Sequence, residues 1–240
     1  MNSLKNKKSY LWTIMIFVIS IIASGISNYI TNKNIVGGII IIFILIFIPF
    51  LIEYLRNKDP IEYYGLDFTT LKKINLKVIF SWALGVFIII GLADYLIFDL
   101  WKIIMHNENM AVGSVSTALA KSSYFYLAVI VIFSGTFLEE IWFRGIIQLK
   151  LSHVKFLKRL NPHFAIIVQS ILFGLVHFIA IFYGADFSIW FKVWFFIYPA
   201  VIGIIIGYLN NKYQSLWPGW IIHYTNNLLS VILLTVLFRI

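Results

Sequence analysis

In Phe137-Leu138-Glu139-Glu140-Ile141-Trp142-Phe143-Arg144-Gly145, two carboxylates and a guanidinium sit inside an otherwise apolar stretch. The surrounding residues, Ser123 to Gln148, read as one membrane-spanning helix. On insertion scales an ionisable side chain near the bilayer centre costs about 3 kcal/mol. Three of them between Glu139 and Arg144 therefore imply a use. Glu140 and Arg144 are four apart, so they share a helix face and can neutralise each other. Glu139 is rotated from Glu140 by about 100° and is expected to lack that partner. One carboxylate is then locked into an ion pair while its neighbour stays free to react.

Few other strongly polar groups fall deep in apolar runs. His177 ends Phe173-Gly174-Leu175-Val176-His177, and His223 and Asn227 bracket His223-Tyr224-Thr225-Asn226-Asn227. At about 1.5 Å per residue, Glu139 lies roughly 14 Å from the cytoplasmic interface, His177 roughly 20 Å, His223 roughly 10 Å and Asn227 roughly 16 Å. Helix tilt spans those differences, so the four can share one layer of one cavity. His223 and Asn227 share a face, and Asn226 is directed about 100° away. Taken singly, His177 or Asn227 is explained as an interhelical hydrogen-bonding residue, and Glu140 with Arg144 as a structural pair. Their convergence in depth is what a purely structural account leaves unexplained. His106, His153 and His163 fall in loops, and Asp94 falls near the outer end of a span.

A carboxylate and an imidazole around a water suit hydrolysis. Glu139 can take a proton from water as general base, and His223 and Asn227 can donate hydrogen bonds to a developing oxyanion. Zinc is the alternative, with His177, His223 and Glu139 as ligands. The helical His-Glu-x-x-His pattern is missing, however, and those ligands would come from three separate helices. No cofactor is therefore expected. Ser134 and Ser170 lie on the relevant helices without a Gly-x-Ser-x-Gly or Ser-Lys arrangement. The absence of cysteine removes thiolate chemistry and cysteine metal sites.

The elements that must position these groups follow from composition. Of the 240 residues, 61% are hydrophobic and 12% charged, against about 25% charged in a soluble domain. The expected fold is all-α, a polytopic transmembrane bundle of about seven spans, near 10–28, 35–55, 78–98, 124–148, 164–183, 189–209 and 216–238. Polar or turn-forming interruptions separate them, among them Asn57-Lys58-Asp59-Pro60 and Asn210-Asn211-Lys212. Residues 1–123 form an N-terminal set of spans and loops, and 124–238 the catalytic helical core. The net charge of +9 collects between apolar runs, which marks topology rather than nucleic-acid binding. Lys5, Lys7 and Lys8, the basic loop from Arg56 to Lys77, and Lys150 to Arg159 outweigh the opposite side. The N-terminus is accordingly expected in the cytoplasm and the site open to the cytoplasmic side. Lys5 to Ile22 also has signal-peptide character, but its long apolar run lacks a clear small-residue cleavage site. Trp101, Ile103, Ile104 and Met105 give 99–122 the look of an interfacial helix. The Lys, Asn and Ile bias points to a bacterial plasma membrane.

Glu139-Glu140-x-x-x-Arg144, Phe173-x-x-x-His177 and His223-x-x-x-Asn227, in that order on successive spans, resemble the three signatures of the CPBP family. That family comprises the CAAX prenyl endopeptidases and the bacterial bacteriocin-processing and immunity (Abi) proteins. The likeness covers residues 124–238 and departs in length, since well-known eukaryotic members are longer and described with eight spans. It implies an intramembrane endopeptidase in which Glu139 activates water, His177 helps to hold it, and His223 with Asn227 forms the oxyanion hole. Glu140, Arg144 and Phe173 would support the site. The implied partners are the lipid bilayer and a membrane-anchored peptide or protein substrate, prenylated or not. A self-immunity or scaffold protein of the same fold is the alternative. A small transporter would show inverted repeats and broken helices, and neither is visible. Oligomeric state is not legible.

Overall fold

The computed structural model describes residues 59–94, 125–161, 163–182 and 189–238, with residues 47–48, 51–52, 54–55 and 96. The first expected span, most of the second and the segment 99–122, with His106, lie outside them. Every regular element among the described residues is helical, with no strand. In order these are α1 (Pro60–Tyr63), α2 (Phe68–Lys73), α3 (Leu76–Asp94), α4 (Phe125–Glu140), a π-helical segment (Ile141–Gln148), α5 (Leu149–Ser152), α6 (Lys155–Leu160), α7 (Phe164–Phe182), α8 (Ile189–Tyr213) and α9 (Trp217–Phe238).

The third to seventh expected spans each coincide with a helix: α3, α4 with its π extension, α7, α8 and α9. By length and composition, Leu76–Ala93 and Lys192–Tyr213 are long and apolar enough to cross a membrane. On α3, Phe80, Trp82, Leu84, Ile88, Ile89 and Leu92 all face outward. A surface of that kind is stable against lipid rather than water, so the chain is an integral membrane protein.

Two expectations are corrected. The spacing predicts an uninterrupted α-helix through Gln148, but the helix widens after Glu140, and all eight residues of the π segment are buried. Such widenings are rare and occur preferentially at functional sites. The run Asn210-Asn211-Lys212, expected as a turn, is helical and belongs to the last turn of α8. Asn210 has buried partners for its side-chain amide, which removes its tendency to compete with helical backbone bonds.

α7 and α8 form the most extensive helix pair, and α9 packs on α3, α4 and α8. The α7–α8 approach rests on Gly203 and Gly207. A Cβ at 203 would meet Ser170 at 3.0 Å, and one at 207 would meet Gln148 Oε1 at 2.7 Å and Gln169 Nε2 at 2.8 Å. Through those notches Gln169 donates to the Gly203 carbonyl and Gln148 to the Gly207 carbonyl, each at 3.0 Å. Small residues that admit interhelical hydrogen bonds are the usual means of holding helices together in lipid. One core cluster joins α3, α8 and α9 through Ile79, Ala83, Ile206 and Ile222. The other wraps the π segment with Tyr64, Phe173 and Leu216. Gly65 takes φ +60° at the turn after α1, a conformation glycine adopts without strain. Its carbonyl accepts the Ser215 hydroxyl at 2.6 Å, so the loop leading into α9 is tied to the turn that covers Gly145.

Candidate active site

The site is assembled around the last residues of α4. Glu140 is fully buried and receives three donors from three elements. Arg144 Nη1 of the π segment lies 3.0 Å from Oε1, and His223 Nδ1 of α9 lies 3.1 Å from the same oxygen. Asn210 Nδ2 of α8 donates to Oε2 at 3.2 Å. Arginine and the amide nitrogen can only donate, so both carboxylate oxygens act as acceptors, and His223 Nδ1 is the third donor into the group. The expected Glu140–Arg144 pair is present, and the structure adds two partners to it.

The guanidinium of Arg144 lies over the Phe173 ring, with Cζ 4.4 Å from the centroid. Its Nε and Nη2 are buried without a hydrogen-bond partner among the described residues. Phe173 is the hub of this layer. Its ring also meets Phe143, His177 and His223, at centroid distances of 4.9, 4.5 and 5.7 Å. The four-residue spacing from Phe173 to His177 has a local cause as well. His177 Nδ1 lies 2.9 Å from the Phe173 carbonyl oxygen. A carbonyl can only accept, so Nδ1 carries the proton and the neutral ring has its lone pair on Nε2.

Glu139, one residue before the lock, has 37% of its side chain exposed, against none for Glu140. Arg144 pairs with Glu140 rather than with Glu139, and His223 Nε2 stands 3.6 Å from the Glu139 Oε2. That separation is beyond a hydrogen bond and within ion-pair range. His223 therefore lies between the two carboxylates, bonded to the buried one and facing the exposed one. His177 lies within electrostatic reach of Glu139, His223 and Arg144.

Asn227 is half-buried on α9, and its Oδ1 accepts from Asn226 Nδ2 at 3.4 Å. Asn226 is the more buried of the two and also donates to the Tyr198 hydroxyl at 3.4 Å. His153 and His163 are exposed, as expected for loop residues. Ser170 is buried with its hydroxyl given to the Ile166 carbonyl at 2.7 Å. On the same helices as Glu139 and His223, Phe133, Phe137, Trp220 and Tyr224 form an aromatic panel between α4 and α9, with neighbouring centroids 4.7 to 6.3 Å apart.

The residue that sequence reasoning missed is Asn210. Its neighbours Asn211 and Lys212 give it the composition of a turn. The available signal was its register, three residues beyond Gly207 on the face that carries the small residues. Among the described residues no three His, Asp or Glu side chains converge as a metal-binding group. His177 and His223 have each committed Nδ1, to a carbonyl and to Glu140, leaving only Nε2 for any ligand.

Residues 121–229 match the family model for the type II CAAX prenyl endopeptidase Rce1-like proteins. No curated protein and no solved structure matches the chain.

Proposed function

We propose, from the match of residues 121–229 to the family model for type II CAAX prenyl endopeptidase Rce1-like proteins, that the chain belongs to that family and hydrolyses a peptide bond of a membrane-associated peptide or protein with water activated by Glu139. The observation that carries the reading is the contrast between two consecutive carboxylates. Glu140 is saturated with donors and sealed, whereas Glu139 is part exposed and faces an imidazole whose other nitrogen is already fixed.

The proposed steps follow from the donor assignments. A water lies between the Glu139 carboxylate and His177 Nε2, which accepts one of its hydrogens. Glu139 takes the other proton as the water oxygen attacks the substrate carbonyl carbon. The carbonyl oxygen becomes an oxyanion, and His223 and Asn227 donate to it. His223 Nδ1 is already donating to Glu140, so an Nε2–H donor requires the imidazolium form. Collapse of the tetrahedral intermediate breaks the C–N bond, and Glu139 returns its proton to the leaving amine. No metal takes part. The aromatic panel of Phe133, Phe137, Trp220 and Tyr224 offers an apolar wall to the flanking substrate residues.

The arrangement belongs in a seven-span bundle with a cytoplasmic N-terminus, in a bacterial plasma membrane, with the site open to the cytoplasmic side. The bias of basic residues supports that orientation. The test is cleavage of a fluorogenic membrane-peptide library in liposomes by wild type and Glu139→Gln. The amide keeps the volume but cannot take a proton, so turnover should fall by about 10²–10⁴-fold with thermal stability unchanged. Normal turnover by the variant removes Glu139 as base. A wild type inert toward the whole library, yet protective of cells against a bacteriocin, would favour the self-immunity reading.

A further inference from the structure

The Glu140 carboxylate has a third support that no signature of the site contains. Asn210 is buried on α8, and its side-chain amide makes two hydrogen bonds in opposite directions. Nδ2 donates to Glu140 Oε2 at 3.2 Å, and Oδ1 accepts from the Gly219 backbone N–H at 2.7 Å. Gly219 is the third residue of α9, so its N–H is one of the first-turn donors that have no acceptor within their own helix. A single planar group thus links the end of α4 to the backbone of α9, four residues before His223. The backbone is shaped for this contact. A Cβ at Gly219 would fall 2.4 Å from Asn210 Nδ2 and 2.7 Å from its Oδ1, so only glycine leaves room for the amide.

The two halves of the amide do separable jobs. Capping the Gly219 N–H needs an acceptor, which aspartate would supply equally well. Holding Glu140 needs a donor, which aspartate lacks. The residue present has both. We infer that Asn210 is a positioning residue: it fixes the plane of the Glu140 carboxylate and, through the Oε1 bond to His223 Nδ1, the direction in which His223 Nε2 faces the reacting carbonyl. It touches no substrate. Without the Oε2 bond the carboxylate is free to turn about its own axis, and the imidazole bonded to it follows. A misplacement of about 1 Å can cost about 10²-fold in rate.

The inference rests on the endopeptidase reading for its kinetic consequence, and its structural consequence is measurable without catalysis. Asn210→Asp keeps the cap and removes the donor. In detergent micelles, with ¹⁵N-labelled histidine and His223→Gln to assign the ring, the wild type should show a His223 Nδ1–H engaged in a hydrogen bond. Asn210→Asp should shift that signal and lower kcat by about 10²-fold, with KM unchanged, on a fluorogenic peptide drawn from the library. An unchanged His223 signal overturns the inference whatever the activity does. Should Asn210→Asp fail to fold, Asn210→Asp with Glu140→Gln decides, because the new amide can donate to the aspartate. Recovery of a folded protein supports the contact, and failure to recover removes it. A wild type that cleaves nothing sinks the endopeptidase reading alone, and the His223 signal still decides the role of Asn210.

Discussion

Arg144→Met tests whether the buried pair is a structural lock. The substitution removes a charge-assisted hydrogen bond of 3.0 Å to Glu140, a contact type worth about 1.5–3 kcal/mol. It also removes a guanidinium lying over Phe173, worth about 0.5–2 kcal/mol. Two terms oppose these. Glu140 keeps donors from His223 and Asn210, and the buried Arg144 Nε and Nη2, which have no partner among the described residues, disappear. The net loss is therefore expected at the low end of the range for breaking a buried pair, about 3 kcal/mol. Against a total stability of about 5–15 kcal/mol that is readily measured. Unfolding would be followed by far-UV circular dichroism in micelles during denaturant titration, with the midpoint and slope compared across variants. Glu140→Gln with Arg144→Met replaces the pair by neutral groups, and its side-chain oxygen still accepts from His223 or Asn210. It should regain a substantial part of the loss while staying inactive, because His223 no longer bonds to a carboxylate. A double variant no more stable than Arg144→Met would show that the uncompensated charge of Glu140 is not what destabilises the single variant, and the lock would be refuted.

Two further outcomes are expected. Purified wild type should hold no stoichiometric zinc by elemental analysis and keep its activity in EDTA or phenanthroline; about one zinc per chain, with activity lost on removal and restored on return, would make His177, His223 and Glu139 ligands. Gly145→Ala should destabilise by about 1–3 kcal/mol, because its Cβ would meet Tyr64 Cδ1 at 2.9 Å and Leu216 Cδ1 at 3.3 Å, whereas Gly135→Ala, with nothing within 4 Å among the described residues, should be neutral or stabilising in the same titration.

What the sequence makes legible here is what repeats at helical spacing. Glu140 with Arg144, where α4 runs on into the π segment, and Phe173 with His177, along α7, are both four-residue contacts, present at 3.0 and 2.9 Å. The boundaries of α7 and α9 follow from apolar run length alone. The illegible parts are those decided between helices. Nothing local to His223 announces that one ring nitrogen will meet Glu140, 83 positions earlier, while the other faces Glu139. Nothing local to Asn210 distinguishes a turn residue from an interhelical clamp, because its composition-level neighbours are polar and its partners are remote. The widening into a π segment has no residue-type signature, since Ile141 to Gln148 would also suit an ordinary helix.

The adjacency of Glu139 and Glu140 shows how far a local rule can carry. Two identical side chains in succession would be redundant in a strand or a loop, but a helix turns them about 100° apart. One then faces the packed interior, where α8, α9 and the π segment each supply it a donor. The other faces the opening, where it is part exposed. Exchange of the two environments would need the helix to rotate, and Arg144 and Asn210 oppose that rotation through their bonds to Glu140. The division of labour between a structural and a reactive carboxylate thus depends on the orientation of one helix, and His223 senses it directly because it contacts both. A substitution that rotates the end of α4 should therefore disturb activity before it disturbs folding.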